Sequence, residues 1–179
     1  IGSLQLSAYQ FQKAIDVFYQ GLLLCNRLEN IQNTILFEFL LGNAYNWYDK
    51  LEIAEQYLLS ANKKLSQVNN PLLKVKITAS YAILLRKMQL YDLAEQYFQL
   101  SLQLSAENNE LHMYETRRSY GVMQYFIGNY DKAEALLLEA EANTIHDSSL
   151  SVVYEYLALL YEKTNQLEKC IHYYKLFHN

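Results

Sequence analysis

The segment Leu41-Gly42-Asn43-Ala44-Tyr45, followed by Leu51-Glu52-Ile53-Ala54-Glu55-Gln56-Tyr57-Leu58-Leu59-Ser60-Ala61, sets small residues at 42, 54 and 61 and large apolar ones at 51 and 58. The same spacing recurs along the chain. Its central small residue returns as Ala14, Ala54, Ala94, Ala133 and Cys170, at intervals of 40, 40, 39 and 37. Twelve positions upstream of each stand Gly2, Gly42, Ala82, Gly121 and Ala158, and seven downstream stand Gly21, Ala61, Ser101, Ala140 and Phe177. Fourteen of these 15 slots hold Gly, Ala, Ser or Cys, where the composition alone would put roughly three. A fixed period in the range of 20–50 residues marks a repeat architecture.

Each unit contains two apolar-periodic stretches separated by a short break such as Gly128-Asn129, which predicts an antiparallel helix pair. Small residues let helix backbones approach closely, and the large residue one turn on, as at Phe18, Leu58, Phe98, Leu137 and Tyr174, is expected to fill the groove of the neighbouring pair. Composition agrees with an all-α chain. Five Gly and one Pro among 179 residues are too few for the turns of a β-sandwich or barrel. Pro71 is expected to open a helix capped by Asn70, and Asn108-Asn109 and His146-Asp147-Ser148 to separate pairs. No linker or low-complexity tract interrupts residues 1–179, so the reading is one domain, with repeats at about 1–28, 35–68, 75–108, 114–147 and 151–179.

The residues Leu41-Gly42-x-x-Tyr45…Leu51-x-x-Ala54-x-x-x-Leu58-x-x-Ala61 and Tyr120-Gly121…Gly128-Asn129-Tyr130-x-x-Ala133-x-x-x-Leu137-x-x-Ala140 resemble tetratricopeptide repeats (TPR) over almost the whole chain. The resemblance implies an α-solenoid, a right-handed superhelix of about five antiparallel helix pairs. Two features depart from the family pattern. The Trp expected three residues before the Leu-Gly pair is replaced by Glu38, Thr78, Arg117 and Tyr154, and the period is near 40 instead of 34. Long repeats of this kind resemble the helical domains of bacterial peptide-sensing regulators of the Rap, PlcR, NprR and Rgg type, and also those of kinesin light chain and MalT-like proteins. The chain begins without Met and within the first repeat, so the expectation is a fragment truncated at its N-terminus, with Leu4, Leu6 and Phe11 poorly covered and inviting homodimerisation.

Charge and motif content narrow the function. The net charge of −4 divides into +3 over residues 1–90 and −7 over 91–179, without the Lys/Arg clustering of a nucleic-acid surface. No apolar run is long enough for a membrane span, no signal-peptide pattern is present, and two distant cysteines do not form a disulfide framework, so a cytoplasmic protein is expected. Phosphate-loop, dinucleotide, His-Glu-x-x-His and Cys-x-x-Cys patterns are absent, and the four histidines are scattered. Glu134, Glu139, Glu141, Glu155 and Glu162 read as the solvated faces of helices. Many of the 17 tyrosines, including Tyr45, Tyr81, Tyr91, Tyr120, Tyr130, Tyr161 and Tyr174, fall in repeat core columns. The expectation is no catalysis, no cofactor and no metal.

The family resemblance places the first helix of each pair on a concave face. Its exposed positions become Leu36, Phe39, Asn43, Asn46 and Trp47; then Lys76, Ala79, Ile83, Arg86 and Lys87; then Glu115, Arg118, Val122, Tyr125 and Phe126; then Val152, Glu155, Leu159, Glu162 and Lys163. Aromatic anchors, amides and charges suit an extended peptide or an extended partner segment, whose backbone needs donors and acceptors and whose side chains need apolar pockets. The candidate ligand-binding set is Phe39, Asn43, Asn46, Trp47, Arg86, Arg118 and Tyr125, with Asn43 and Asn46 at the positions where the peptide-sensing regulators hold ligand backbone. The carboxylate clamp of chaperone-adaptor TPR domains is absent: Phe39, Asn43, Ser80, Glu115 and Ser119 stand at its positions. The resulting expectation is a non-catalytic protein- or peptide-binding module, the sensor domain of a quorum-sensing-type transcriptional regulator with an upstream helix-turn-helix. A scaffold for assembling a protein complex is the alternative.

Overall fold

The computed structural model describes residues 2–109, 112–142 and 147–178, with side chains described except at 2–10 and 147–149. Helices account for all the regular structure of the described residues: α1 (Gly2–Arg27), α2 (Ile31–Trp47), α3 (Leu51–Lys64), a short 3-10 turn at Leu65–Gln67, α4 (Pro71–Lys87), α5 (Tyr91–Ala106), α6 (Met113–Phe126), α7 (Tyr130–Ala142), α8 (Asp147–Lys163) and α9 (Leu167–His178). The chain divides into two compact units, Ile1–Tyr97 and Phe98–Asn179.

The turn inside each pair is built the same way four times. Five residues before each small anchor, Asp49, Gln89, Gly128 and Asn165 have positive φ, between 58° and 82°. The next backbone N–H, of Lys50, Leu90, Asn129 or Gln166, donates to the carbonyl five residues back at 2.9 Å. That is the Schellman arrangement, which satisfies the last carbonyls of the first helix. The residue after the left-handed one then starts the second helix, as its own carbonyl accepts from Ala54, Ala94, Ala133 or Cys170 at 2.9–3.0 Å. The sharp stop and immediate restart leave no room for a loop and send the second helix back along the first.

The first repeat departs from this plan. Residues 2–27 form the single helix α1 instead of a pair. The equivalent turn position holds Tyr9, a bulky residue disfavoured in the left-handed region, and no Gly, Asn or Asp stands between Ser3 and Gln12 to break the helix. Ala14 is only half-buried; the buried stripe of α1 is Ile15, Leu22 and Cys25, of which Ile15 and Leu22 pack with Leu41 and Ala44 of α2. Gly21 keeps its close-approach role, since a Cβ there would lie 2.4 Å from the Phe37 ring. Phe11 is half-buried, its ring centroid 6.5 Å from that of Tyr48, while Leu4 and Leu6 lie outside the described side chains.

From α2 onward the small-residue columns are core. Ala54, Ala61, Ala82, Ala94, Ser101, Ala133, Ala140 and Ala158 have no exposed surface. The large residue four after the anchor meets the glycine of its own pair: a Cβ on Gly42 would stand 2.7 Å from Leu58 Cγ, and one on Gly121 would stand 2.9 Å from Leu137 Cγ. Glycine is therefore required there by contact with the partner helix of the same pair. In the first unit Leu58 belongs to a cluster with Ile35, Phe39, Leu73 and Ile77, and in the second Leu137 belongs to one with Val153, Leu157 and Tyr161. Each such side chain contributes about 1.5–3 kcal/mol on burial.

Polar ties take the place of the missing Trp. Glu38 accepts from Ser60 Oγ at 2.8 Å and pairs with Lys64, and Arg117 pairs with Glu139 at 2.9 Å. Thr78 instead donates to its own helix, at the Lys74 carbonyl. Between successive pairs, tyrosine hydroxyls donate to carboxylates of the preceding second helix: Tyr81 to Glu55 at 3.1 Å, Tyr161 to Glu134 at 2.6 Å. Tyr173 of α9 likewise reaches Glu141 of α7 at 3.0 Å. Glu134, Glu139 and Glu141, expected on solvated faces, thus also tie helices together. Pro71 does open α4, with the Asn70 side chain accepting from Leu73 N–H, and Asn30 caps α2 in the same way. Asn109 has φ 57° after α5; His146 lies outside the described residues, and Asp147 and Ser148 begin α8.

Candidate functional site

The positions that the repeat register assigns to α2 separate into two ends. Near its start, Leu36 and Phe39 join Leu40, Leu72, Leu73 and Lys76 around a groove of about 270 Å³ between α2 and α4. Phe39 is 9% exposed and forms part of the floor, while Leu36, at 38%, lies open. The amides of Gln32, Asn33 and Asn70 stand at the rim, and Lys76 is the one charged group among the lining residues. The first turns of α2 and α4, which border the groove, are each capped by an Asn side chain, and neither carries a carboxylate.

The other end of α2 is arranged differently. Asn46 is 5% exposed, and its Oδ1 has no hydrogen-bond partner among the described residues. Its backbone carbonyl accepts from Lys87 Nζ at 2.6 Å, and Lys87 also pairs with Asp49 at 3.2 Å. Lys87 thereby caps the C-terminus of α2, where a cation is favourable. Asn43 is half-buried, and Trp47 is 76% exposed. Trp47 stands eleven residues along the helix from Leu36, about 16 Å at 1.5 Å per residue. The structure thus does not gather Phe39 and Trp47 at one spot. Arg86 is half-buried on α4.

In the second unit Arg118 and Tyr125 are half-buried on α6 and Phe126 is 54% exposed. Tyr125 stands at the centre of a ring cluster, with centroids 5.5 Å from Tyr156, 5.7 Å from Phe126 and 5.9 Å from Tyr130. Glu115 accepts from His112 Nδ1 at 3.1 Å; burial would raise its carboxyl, but hydrogen bonds from His112 and Tyr114 outweigh burial and hold it below the usual carboxylate range. Val122 is buried at 7% and belongs to the core, as does Ala79 in the first unit. Tyr156, which the repeat register leaves off the concave list, joins this cluster. Its signal in the sequence is weak, an aromatic next to Glu155 on the same helix.

No protein-family model and no curated protein matches the chain. Among solved structures it is similar to the crystal structure of BtubC (BKLC) from P. vanneervenii, with a TM-score of 0.77 and 17% identity over 93% of this chain and 72% of that one. No helix among the described residues is long and apolar enough to cross a membrane. The chain is an all-helical protein whose fold is similar to that of BtubC.

Proposed function

We propose that this chain is a non-catalytic module that binds an extended peptide, or an extended segment of a partner protein, in a groove of paired helices. The observation that carries this reading is the α2/α4 groove. Three positions that the repeat register marks as concave, Leu36, Phe39 and Lys76, come together there with rim amides able to meet a peptide backbone. The right-handed superhelical stacking of TPR-like pairs is part of the same reading. So is the role of sensor in a bacterial transcriptional regulator, supported by the sequence resemblance. Ligand binding would then act by favouring one of two pitches of the repeat array, which requires different affinity for the two states.

The test is a peptide array followed by calorimetric titration of the hits, using the parent chain and Leu36→Glu. Leu36 is open enough to accept a charge without unfolding the chain, so a loss of at least tenfold in affinity with an unchanged melting curve supports the groove. Hits that bind Leu36→Glu as well as the parent would refute it. The scaffold reading instead expects no saturable peptide binding. The regulator role is checked separately, by whether the gene encodes a helix-turn-helix upstream of Ile1.

A further inference from the structure

The outer face of α9 carries apolar groups that the groove reading does not use. Leu167, Tyr174, Lys175 and His178 stand three, four or seven positions from Ile171 and so share its side of the helix, where Ile171, Tyr174, Lys175 and His178 line a shallow depression of about 450 Å³. Leu167 is 61% exposed and Ile171 55%, more than any other large apolar side chain described in the second unit. The same face of α3 and α7 is built to receive a following pair. At the position after the small anchor, Glu55 and Glu134 accept the tyrosine hydroxyls of the next pair, and Leu58 and Leu137, one turn on, have no exposed surface. α9 has Ile171 where those carboxylates stand, a half-buried Tyr174 in place of the covered leucines, and Phe177 in place of Ala61 and Ala140. It therefore offers an apolar strip without the polar tie that joins one pair to the next.

The charges bordering this strip are self-complementary. Glu168 stands three residues before Ile171 and Lys175 four after it; both are exposed, and among the described residues neither pairs with an opposite charge. Lys169, by contrast, is held by Glu134 at 3.4 Å and by the Tyr161 ring at 4.7 Å. Two copies of α9 laid antiparallel about a two-fold axis at Ile171 bring Glu168 of each chain to Lys175 of the other and Leu167 to Tyr174, with the two Ile171 side chains at the centre. A parallel arrangement would set like charges against each other. We propose that this face of α9 docks a second copy of the chain in an antiparallel, two-fold symmetric contact. The 12 residues of α9 span about 18 Å at 1.5 Å per residue, so the interface is small and the dimer is expected to have a dissociation constant on the order of 100 μM.

The experiment is sedimentation equilibrium of the full chain from about 5 to 500 μM, a range that brackets this constant. The parent is expected to dimerise reversibly. Ile171→Glu alters an exposed side chain, so it should leave the melting curve in place while weakening dimerisation roughly tenfold or more, because an unpaired carboxylate is then buried at the two-fold. Glu168→Lys and Lys175→Glu should each weaken self-association roughly fivefold to tenfold, and an equimolar mixture of the two should associate as tightly as the parent, since opposite charges then meet at both ends. A monomer throughout the range, a dimer that Ile171→Glu leaves intact, or charge variants that stay monomeric when mixed would each overturn the proposal. Leu36→Glu lies on α2 in the other unit and should dimerise as the parent does, so failure here and failure of the groove are separable.

Discussion

Replacing Gly42 with Ala tests the contact on which the repeat depends. The new Cβ would stand 2.7 Å from Leu58 Cγ, 2.8 Å from Cδ2 and 3.3 Å from the Leu58 backbone nitrogen. Relaxed carbon contacts are about 3.5–4.0 Å, so the overlap is about 1 Å. Leu58 has no exposed surface and lies in the cluster of Ile35, Phe39, Leu73 and Ile77. Overpacking of this kind costs about 1–3 kcal/mol, and exchanging Gly for Ala inside a helix returns about 1 kcal/mol. The net expectation is a loss of about 1 kcal/mol, or a drop of about 2–4 °C in the melting midpoint. In a Leu58→Ala background Cγ and Cδ2 are gone and only the 3.3 Å approach to the backbone nitrogen remains, so there the same substitution should stabilise, by up to about 1 kcal/mol. Urea denaturation of the four proteins, followed by circular dichroism, measures both differences. The Leu58→Ala parent is itself expected to lose about 2–5 kcal/mol, and an osmolyte can be added equally to all four if it is too unstable. A Gly42→Ala effect of the same sign and size in both backgrounds would refute the contact. Gly121→Ala should be milder, since its Cβ would approach Leu137 no closer than 2.9 Å.

Three other outcomes are expected. Gln124 is fully buried with both amide atoms unpartnered among the described residues, while the previous repeat has buried Leu85 at that position, so Gln124→Leu should stabilise by about 1–2 kcal/mol; a destabilised variant would show that the amide has a partner. Lys64→Met leaves the buried Glu38 carboxylate with Ser60 alone and should cost about 2–3 kcal/mol, with much of the loss recovered in Glu38→Gln/Lys64→Met; purely additive losses in a double-mutant cycle would refute the pair. The Tyr81 hydroxyl is pushed up to about 12, first by burial and then by its hydrogen bond to Glu55. A raised folded-state value means that the unfolded chain loses its proton first, so stability should be flat below about pH 10 and fall as pH rises above it. Tyr81→Phe should make that fall shallower, which a series of urea midpoints from pH 9 to 11.5 would reveal.

The helical class and the positions where helices touch were legible because helix contact constrains size locally. Gly42, Ala54 and Ala61 recur as small residues since the partner backbone passes within a few ångströms, and that demand leaves a periodic mark. The turn within the fourth pair was legible for a similar reason at Gly128, where the backbone adopts a left-handed conformation that few residues favour. The first repeat was misread because its small residues match the pattern while Tyr9 does not supply the turn. A column of small residues reports close packing, and it does not report a chain reversal.

The candidate site was legible only in part. Leu36, Phe39 and Lys76 form a groove together, but Asn46 is buried and Trp47 stands at the far end of the same helix. A repeat register assigns a residue to a face, whereas exposure along that face depends on how far the neighbouring pair overlaps it. Lys87 shows the difference: on the register it is a groove cation, and in the structure it caps α2 and pairs with Asp49, residues 38 and 41 positions away. By itself the sequence determined the helices, the period and the columns of close contact, because those follow from short-range spacing along each helix. Only the tertiary structure decided which charged and aromatic side chains are spent on joining helices and which remain at the surface, because that depends on distances between residues that no local pattern relates.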